Sequence, residues 1–423
     1  MKYFGSSGVR MSWSPKLLEV ARRLGCAVGS MFSEIVVGYD SRKTSQALTS
    51  EFVSGALSSG CDVYIAGMVP TPLIAYASRY FDCGAVITAS HNPPEYNGIK
   101  LWNKDGSSFS QKQCEEIEEI MEKCSIVSWD KTGSLASEDI VDEYIDNLLN
   151  NAGNSEIKVV SDPGNGAASY ITPKVLSEMG CKVISINSHP HGSFPGRPSE
   201  PSPENLEKLR KMVLYSRADI GVANDGDADR MVVTTRKGRI LRGDEILAIL
   251  IKHFGFKEIV APVDSSMLLD KLCKVHRCRV GDAFVSMYMK EKGIDFGGEN
   301  SGTQIFADWI YAPDGIYSAA VFAKIAERED LDSLVDSFPK FYIIRKSFRY
   351  KDREQLAQKI EKIFEDYEVN RADGWRIDLG DSWILIRFSG TEPKVRITVE
   401  SEREDKAKKV LEEVIDKIKE ELL

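Results

Sequence analysis

The sequence predicts an α/β chain: three similar mixed α/β domains followed by a smaller α+β C-terminal domain. Three observations carry this reading. An alternation of short apolar strands and helix-patterned stretches runs along the chain and restarts twice. The final segment breaks the rhythm, with two strands around a Gly/Pro turn and then one amphipathic helix. The third is length: 423 residues exceed one compact core, since a domain typically holds about 100–200 residues.

The first round opens with Ile35-Val-Val-Gly38, a short apolar run that predicts a strand. A helix pattern over 45–57 follows, then the strands Cys61-Asp-Val-Tyr-Ile-Ala66 and Gly84-Ala-Val-Ile87. Strands separated by helices predict a largely parallel sheet. An acidic, helix-favouring stretch over 138–150 leads out of it. The second round holds Ile157-Lys-Val-Val-Ser161, Lys182-Val-Ile-Ser-Ile186 and Asp219-Ile-Gly-Val-Ala223, the last running into an acidic loop. The third pairs the helix pattern Ile246-Leu-Ala-Ile-Leu250 with the strand Ile259-Val-Ala-Pro262 and ends near Gly297-Gly298. In the last segment the strands are Trp383-Ile-Leu-Ile-Arg-Phe388 and Val395-Arg-Ile-Thr-Val-Glu400. Ala407, Val410, Leu411, Val414, Ile415 and Ile418 then form the i, i+3, i+4, i+7 stripe of an amphipathic helix. These units divide the chain at 1–150, 151–244, 245–341 and 342–423. Three similar units suggest an internal repeat, although no strict sequence period is visible.

Composition narrows the function classes. A hydrophobic fraction of 42% and a charged fraction of 28% are those of an ordinary globular protein. The net charge of −9 argues against nucleic acid as a partner. A local cluster of Arg and Lys can still bind an anion. No run of 18 apolar residues exists, so no membrane span is expected. The segment Met1-Lys-Tyr-Phe-Gly-Ser-Ser-Gly-Val-Arg10 lacks the apolar core of a signal peptide. Eight cysteines scattered through a long chain read as reduced thiols, and a cytoplasmic location is expected. Cys273 and Cys278, with His276 between them, lack the second ligand pair of a zinc site.

Four segments carry chemistry. Thr88-Ala-Ser-His-Asn-Pro93, continuing to Asn97-Gly-Ile-Lys100, displays Ser90 in a turn after a strand, where open α/β sheets place ligands. A serine hydroxyl needs activation or a metal to act as a nucleophile, and His91 and Lys100 share the loop. Asn92-Pro93 and Asn97-Gly98 are equally consistent with a plain surface turn. In Asn224-Asp-Gly-Asp-Ala-Asp-Arg230, Asp225, Asp227 and Asp229 alternate with small residues. Three carboxylates so close repel one another unless a hard cation sits among them. An EF-hand starting at Asp225 needs Gly at its sixth position and Glu at its twelfth; Arg230 and Arg236 stand there. Three carboxylates with an open position suit Mg²⁺ shared with a phosphoryl oxygen. Gly297-Gly-Glu-Asn-Ser-Gly302 allows close backbone approach to a ligand, with Glu299 and Ser301 suited to sugar hydroxyls. Arg387-Phe-Ser-Gly-Thr-Glu-Pro-Lys-Val-Arg396 is a turn between strands whose N–H groups and flanking arginines could seat a phosphate. A fifth stretch, Pro163-Gly-Asn-Gly-Ala-Ala-Ser169, has Ser169 where a dinucleotide fingerprint has its third glycine.

Together the four segments resemble the α-D-phosphohexomutase superfamily, the phosphoglucomutase/phosphomannomutase family. Phe4-Gly-Ser-Ser-Gly-Val-Arg10, Gly38-Tyr-Asp-Ser-Arg42 and Val69-Pro-Thr-Pro72 look like further landmarks of its first domain. The resemblance implies four domains around a central cleft and a resting phosphoserine at Ser90. It implies one Mg²⁺ per chain at that phosphate and Asp225, Asp227 and Asp229. His91, Lys100 and Arg230 fall at positions of active-site basic residues. Arg10, Glu299, Ser301, Arg387, Ser389, Gly390, Thr391 and Arg396 fall at substrate-binding positions. The implied reaction exchanges hexose 1-phosphate and hexose 6-phosphate through a hexose 1,6-bisphosphate, which also serves as activator. Mannose and glucose phosphates are favoured, with phosphoglucosamine mutase as the alternative and a phosphoserine-dependent phosphatase as the alternative class. A homo-oligomer is left open. The chain departs from the family pattern at Met11, Thr303 and Phe388, and Thr303 bears on the choice of sugar.

Overall fold

A strand covered on both faces is apolar throughout, and Glu34–Tyr39 is of this kind, with Ile35, Val36 and Val37 wholly buried. In the computed structural model, which describes residues 2–5, 7–123, 125–389 and 393–422, this strand lies inside a seven-stranded sheet. Asp62–Met68 and Cys83–Ile87 flank it in parallel. Tyr96–Asn103 and Gly8–Ser12 extend the sheet antiparallel. Helices Pro15–Met31 and Ser45–Ser58 pack against it. Ser14 caps the first of these, its Oγ accepting the Leu17 N–H at 3.4 Å. The two helices touch backbone to backbone. A Cβ on Gly25 would stand 1.9 Å from the Phe52 carbonyl oxygen, so only glycine fits.

Two four-stranded sheets repeat the plan. In one, Ile220–Asn224, Lys158–Asp162 and Lys182–Ser185 run parallel, with Met231–Thr235 antiparallel at the edge. In the other, Lys274–Cys278, Glu258–Pro262 and Phe296–Glu299 run parallel, with Thr303–Phe306 antiparallel. All three sheets share one connection: a parallel strand turns back through a hairpin into an antiparallel neighbour. Cys83–Ile87 does so into Tyr96–Asn103, Ile220–Asn224 into Met231–Thr235 and Phe296–Glu299 into Thr303–Phe306. The repeat that the sequence suggests takes this form. It leaves the loops 88–95, 225–230 and 300–302 at the carboxyl ends of buried strands.

The last unit is a five-stranded antiparallel sheet. Helices Arg353–Ile363 and Glu404–Ile418 bury Leu356, Ile360, Ala407, Leu411, Val414 and Ile418 against it. Val410 and Ile415, also on the expected stripe, form its half-buried margins. The architecture is therefore three mixed α/β units and a smaller α+β unit. Among the described residues no helix is long and apolar enough to cross a membrane. Cys61, Cys83, Cys114, Cys181, Cys273 and Cys278 are free, whereas Cys26 is disulfide-bonded, which departs from the reading of all thiols as reduced.

An aromatic knot ties the units together. Tyr76, Tyr144, Trp309 and Tyr317 pack ring against ring. Asp314, buried among them, accepts from Trp309 Nε1 at 2.7 Å and Tyr144 Oη at 2.8 Å. Its other oxygen caps helix Gly315–Arg328 through the Ile316 and Tyr317 N–H groups, both at 2.9 Å. The C-terminal sheet joins the same core through Trp383 and Leu385. Fully buried Glu400 fastens that joint, accepting from Ser266 Oγ at 2.5 Å, Met267 N–H at 2.7 Å and Trp383 Nε1 at 2.6 Å. Asp314→Ala removes a cap and strands buried donors, and should lower unfolding free energy by about 2–4 kcal/mol. Asp314→Asn, which keeps an acceptor, should lose less. Urea denaturation followed by tryptophan fluorescence checks this; an Ala variant as stable as the parent would refute the anchoring role.

Candidate active site

The loop 88–95 holds Ser90 at φ 48°, a left-handed conformation uncommon for a residue with a Cβ. Hydrogen bonds on both sides hold it there. The Ser90 N–H donates to Thr88 Oγ1 at 2.9 Å, and its carbonyl accepts from Arg42 Nη2 at 2.7 Å. Arg42 also donates to the carbonyls of Asn92 (2.6 Å), Pro93 (2.6 Å) and Tyr96 (3.0 Å). Beneath it, Asp40 Oδ2 lies 3.0 Å from Arg42 Nε, with both side chains fully buried. Asp40 also accepts from the hydroxyls of Ser45 at 2.6 Å and Thr88 at 2.8 Å. Burial pushes the Asp40 carboxyl up, and Arg42 opposes the shift. One buried ion pair thus fastens the whole serine loop.

The acidic loop meets it directly. Ser90 Oγ donates to Asp225 Oδ2 at 2.7 Å and lies 3.2 Å from His91 Nδ1. Gly226 permits the approach, since a Cβ there would stand 2.7 Å from the Ser90 carbonyl oxygen. Asp225, Asp227 and Asp229 are all buried, and each offers an oxygen within 4.8 Å of the others. Asp227 Oδ2 accepts from Thr71 Oγ1 at 2.6 Å. The Oδ1 atoms of Asp227 and Asp229 are buried with no hydrogen-bond donor among the described residues. Burial, then repulsion from Asp229 and Asp227, pushes the Asp225 carboxyl well above the usual range. Burial and Asp227 push Asp229 up to about 6. Unsatisfied carboxylate oxygens held together out of water fit a hard divalent cation. Among the described residues this is the one cluster of three acidic, His or Cys groups able to hold a metal. His276, by contrast, engages Glu258 at 2.8 Å. The Gly164–Gly166 stretch acts as a buttress, its neighbour Ala167 donating its N–H to the Gly226 carbonyl at 2.9 Å.

Positive charge surrounds this point. Arg230 Nε lies 3.9 Å from Asp229 Oδ1, and its Nη1 lies 3.9 Å from Glu200 Oε1. Arg10 Nη1 reaches Asn92 Oδ1 at 3.4 Å, while its Nε is buried with no partner among the described residues. Burial, then Arg230, Arg10 and Arg42, push the His91 imidazole down to about 3, so it is neutral near pH 7. Buried Lys100 pairs with the Asp282 carboxylate and stands 4.3 Å from the centre of the Trp102 ring. Asp282 also accepts from Ser7 Oγ at 3.1 Å, joining the first unit to the third.

A cavity of about 470 Å³ opens between the second, third and fourth units, lined by Glu200, Arg242, Asp264, Ser301, Arg345 and Arg396 among others. Ser301 Oγ is 3.4 Å from Thr303 Oγ1. Glu299 is buried, and its Oε1 accepts the Gly281 N–H at 2.8 Å. Burial, then Asp282, push the Glu299 carboxyl up to about 7, against the pull of Arg230. Arg387 and Arg396 stand opposite each other on the last hairpin. Arg387 Nη2 is 2.7 Å from Asp373, its Nη1 is 3.9 Å from Asp264, and its Nε is buried with no partner among the described residues. The Ser389 N–H donates to the Lys394 carbonyl at 2.8 Å. Gly390 and Thr391 lie outside the described residues.

The structure thus gathers Ser90, His91, Arg10, Lys100, Arg230 and the three aspartates at one junction, and Ser301 and Arg396 at the neighbouring cavity. Sequence reasoning missed Asp40 and Arg42, Thr71, Asp282 and Arg345. The first three lie in or beside motifs visible in the chain, but spacing cannot show that residue 71 bonds residue 227. Asp282 and Arg345 carry no local signal.

A buried serine beside an acidic triad, with an arginine-lined cavity alongside, has the parts of a phosphoryl-transfer enzyme, where positioning and charge neutralisation dominate. Comparison with known proteins narrows the class. The chain matches the phosphoglucomutase/phosphomannomutase family models over 1–126 (alpha/beta/alpha domain I), 142–238 (domain II), 242–342 (domain III) and 347–417 (C-terminal domain), and it belongs to that family. It is a phosphohexomutase, an isomerase. A probable phosphoglucosamine mutase of Methanocella arvoryzae is 44% identical over 424 residues, covering 97% of this chain and 96% of the relative. The phosphoglucosamine mutase of Methanococcus maripaludis is 39% identical, covering 99% of both. A crystal structure of a phosphoglucomutase/phosphomannomutase family protein from Burkholderia thailandensis superposes with a TM-score of 0.87 at 26% identity, over 98% of this chain and 96% of that one.

The triad has a consequence for stability. The folded carboxyls of Asp225 and Asp229 take up protons more readily than unfolded ones, so without metal the folded state gains as pH falls. The Tm in EDTA should therefore rise between about pH 7.5 and about pH 5.5 through these groups. Mg²⁺ should raise the Tm and flatten the slope. A Tm indifferent to Mg²⁺ would speak against the cation site.

Proposed function

We propose that this chain is a phosphoglucosamine mutase, interconverting the 6-phosphate and 1-phosphate of glucosamine through phosphoserine 90. The observation that carries the phosphoryl-transfer role is the 2.7 Å contact between Ser90 Oγ and the buried triad. The names of the relatives that match nearly the whole chain support glucosamine over the mannose and glucose phosphates favoured from sequence.

In the proposed cycle the phosphoryl group leaves Ser90 Oγ for the free hydroxyl of the bound sugar monophosphate: the sugar O–P bond forms as the Ser90 O–P bond breaks, and the hydroxyl's proton passes to the departing Ser90 oxygen. A hexose 1,6-bisphosphate results, and the same compound serves as activator. It reorients, and its other phosphate returns to Ser90. Asp225, Asp227 and Asp229 would hold one Mg²⁺, which supplies positive charge at the transferring phosphate. Arg10, Arg230 and Lys100 add fixed positive charge. His91, neutral and a weak base, orients the serine oxygen rather than removing a proton. Glu299 and Ser301 receive sugar hydroxyls. Arg387, Ser389, Gly390, Thr391 and Arg396 hold the phosphate that is not reacting. Each of the four units, divided near residues 150, 245 and 342, contributes one loop.

Intact-mass spectrometry should find one phosphoryl group on the purified protein, absent from Ser90→Ala. That variant should lose at least about 10³-fold in kcat. Retained turnover would sink the phosphoserine mechanism. Release of inorganic phosphate in step with substrate loss would instead mark a phosphatase. Among glucosamine, glucose and mannose 1-phosphates, the first should show the highest kcat/KM, and stripping the metal should abolish all three activities.

A further inference from the structure

The cavity between the second, third and fourth units carries both signs of charge. Arg242, Arg345 and Arg396 line it, and so do Glu200, Asp244 and Asp264. A phosphate dianion alone is served by the arginines and repelled by the carboxylates. A ligand bearing a phosphate and an ammonium group matches both.

The three carboxylates are not equivalent. Asp244 faces inward: it is 6% exposed, and its Oδ1 accepts the Ser266 N–H at 2.9 Å. Glu200 is half exposed and stands 3.9 Å from Arg230. Asp264 keeps its side chain 22% exposed, and Arg387 Nη1 lies 3.9 Å away, beyond hydrogen-bond reach. Among the described residues no other residue's side chain donates a hydrogen bond to the Asp264 carboxylate, which accepts from its own backbone N–H and lies in the field of Arg387 and Arg345 without a direct bond to either. Its backbone is tied to the glycine-rich loop of the third unit, because Asn300 Nδ2 donates to the Asp264 carbonyl at 3.1 Å. The carboxylate is thereby held in register with Ser301, between the sugar-facing loop and the arginines of the last unit.

We propose that Asp264 is a specificity-determining residue that accepts the ammonium group of an amino sugar phosphate. This rests on the glucosamine reading above. The competing role for Asp264, orienting Arg387, makes a different prediction: losing it would harm every sugar phosphate alike.

The test compares kcat/KM for glucosamine 1-phosphate and glucose 1-phosphate in the parent protein, Asp264→Asn and Asp264→Glu, each checked for folding by its Tm. Asparagine keeps the shape and removes the charge. The glucosamine-to-glucose ratio should fall about tenfold or more, the worth of a charge-assisted hydrogen bond, and glutamate should recover part of it. An unchanged ratio in Asp264→Asn overturns the proposal. A second measurement needs no variant: the parent ratio should fall as pH rises and the substrate ammonium loses its proton, and a flat ratio overturns the proposal as well. If the parent turns over glucose or mannose 1-phosphate but not glucosamine 1-phosphate, the glucosamine reading itself fails, visibly and before any variant is compared.

Discussion

Three carboxylates packed into a water-poor junction are the constraint around which the molecule is arranged. Asp225, Asp227 and Asp229 repel one another, and two of their oxygens have no donor among the described residues. Left alone, such a cluster would either take up protons or open to solvent. Its neighbours meet this in two ways. Thr71 and Ser90 donate hydroxyl hydrogen bonds from the first unit. Arg230 and Lys100 supply opposing charge from outside the triad. The residual imbalance is what a divalent cation would neutralise. Burial, and not the acidity of the loop by itself, separates this loop from the many acidic turns found on protein surfaces.

In each α/β unit a loop that follows a parallel strand is held by a device used three times. In the first unit Arg42, paired with Asp40, donates to the carbonyls of residues 90, 92, 93 and 96. In the second, Arg197 pairs with Asp162 at 3.0 Å and donates to the carbonyls of Asp162, Pro198 and Asn224. In the third, Arg277 donates to the carbonyls of Pro262 and Ser265 at 3.2 Å and 3.1 Å. A guanidinium has five donors in a fixed fork, so one side chain can satisfy several carbonyls that a tight loop leaves without partners. Lysine could not do this, because its three donors radiate from one atom. The loops are therefore rigid without being regular secondary structure.

Much of this was legible in the chain. The strand and helix alternation is local, and periodicity reports it well, as with the stripe from Ala407 to Ile418. Asp225, Asp227 and Asp229 are adjacent enough to read as one cluster. What sequence could not show are contacts between distant segments. Thr71 with Asp227, Lys100 with Asp282, and Glu400 with Ser266 each join residues more than 100 positions apart. Nor could it show that His91 is held neutral, because that follows from its burial and then from the arginines that folding places around it. The sugar preference was the least legible feature, since motifs common to a family do not separate its members.

The hairpin that recurs in the three α/β units divides labour among copies of one part. Each functional loop is closed at both ends by paired strands of its own sheet, so its length and residues can change while the frame that carries it stays put. The loop at residues 300–302 is three residues long and that at 88–95 is eight, yet both leave and re-enter their sheets through the same connection. The three loops can therefore diversify separately, and a change of ligand demands new side chains at one junction of units rather than a new fold.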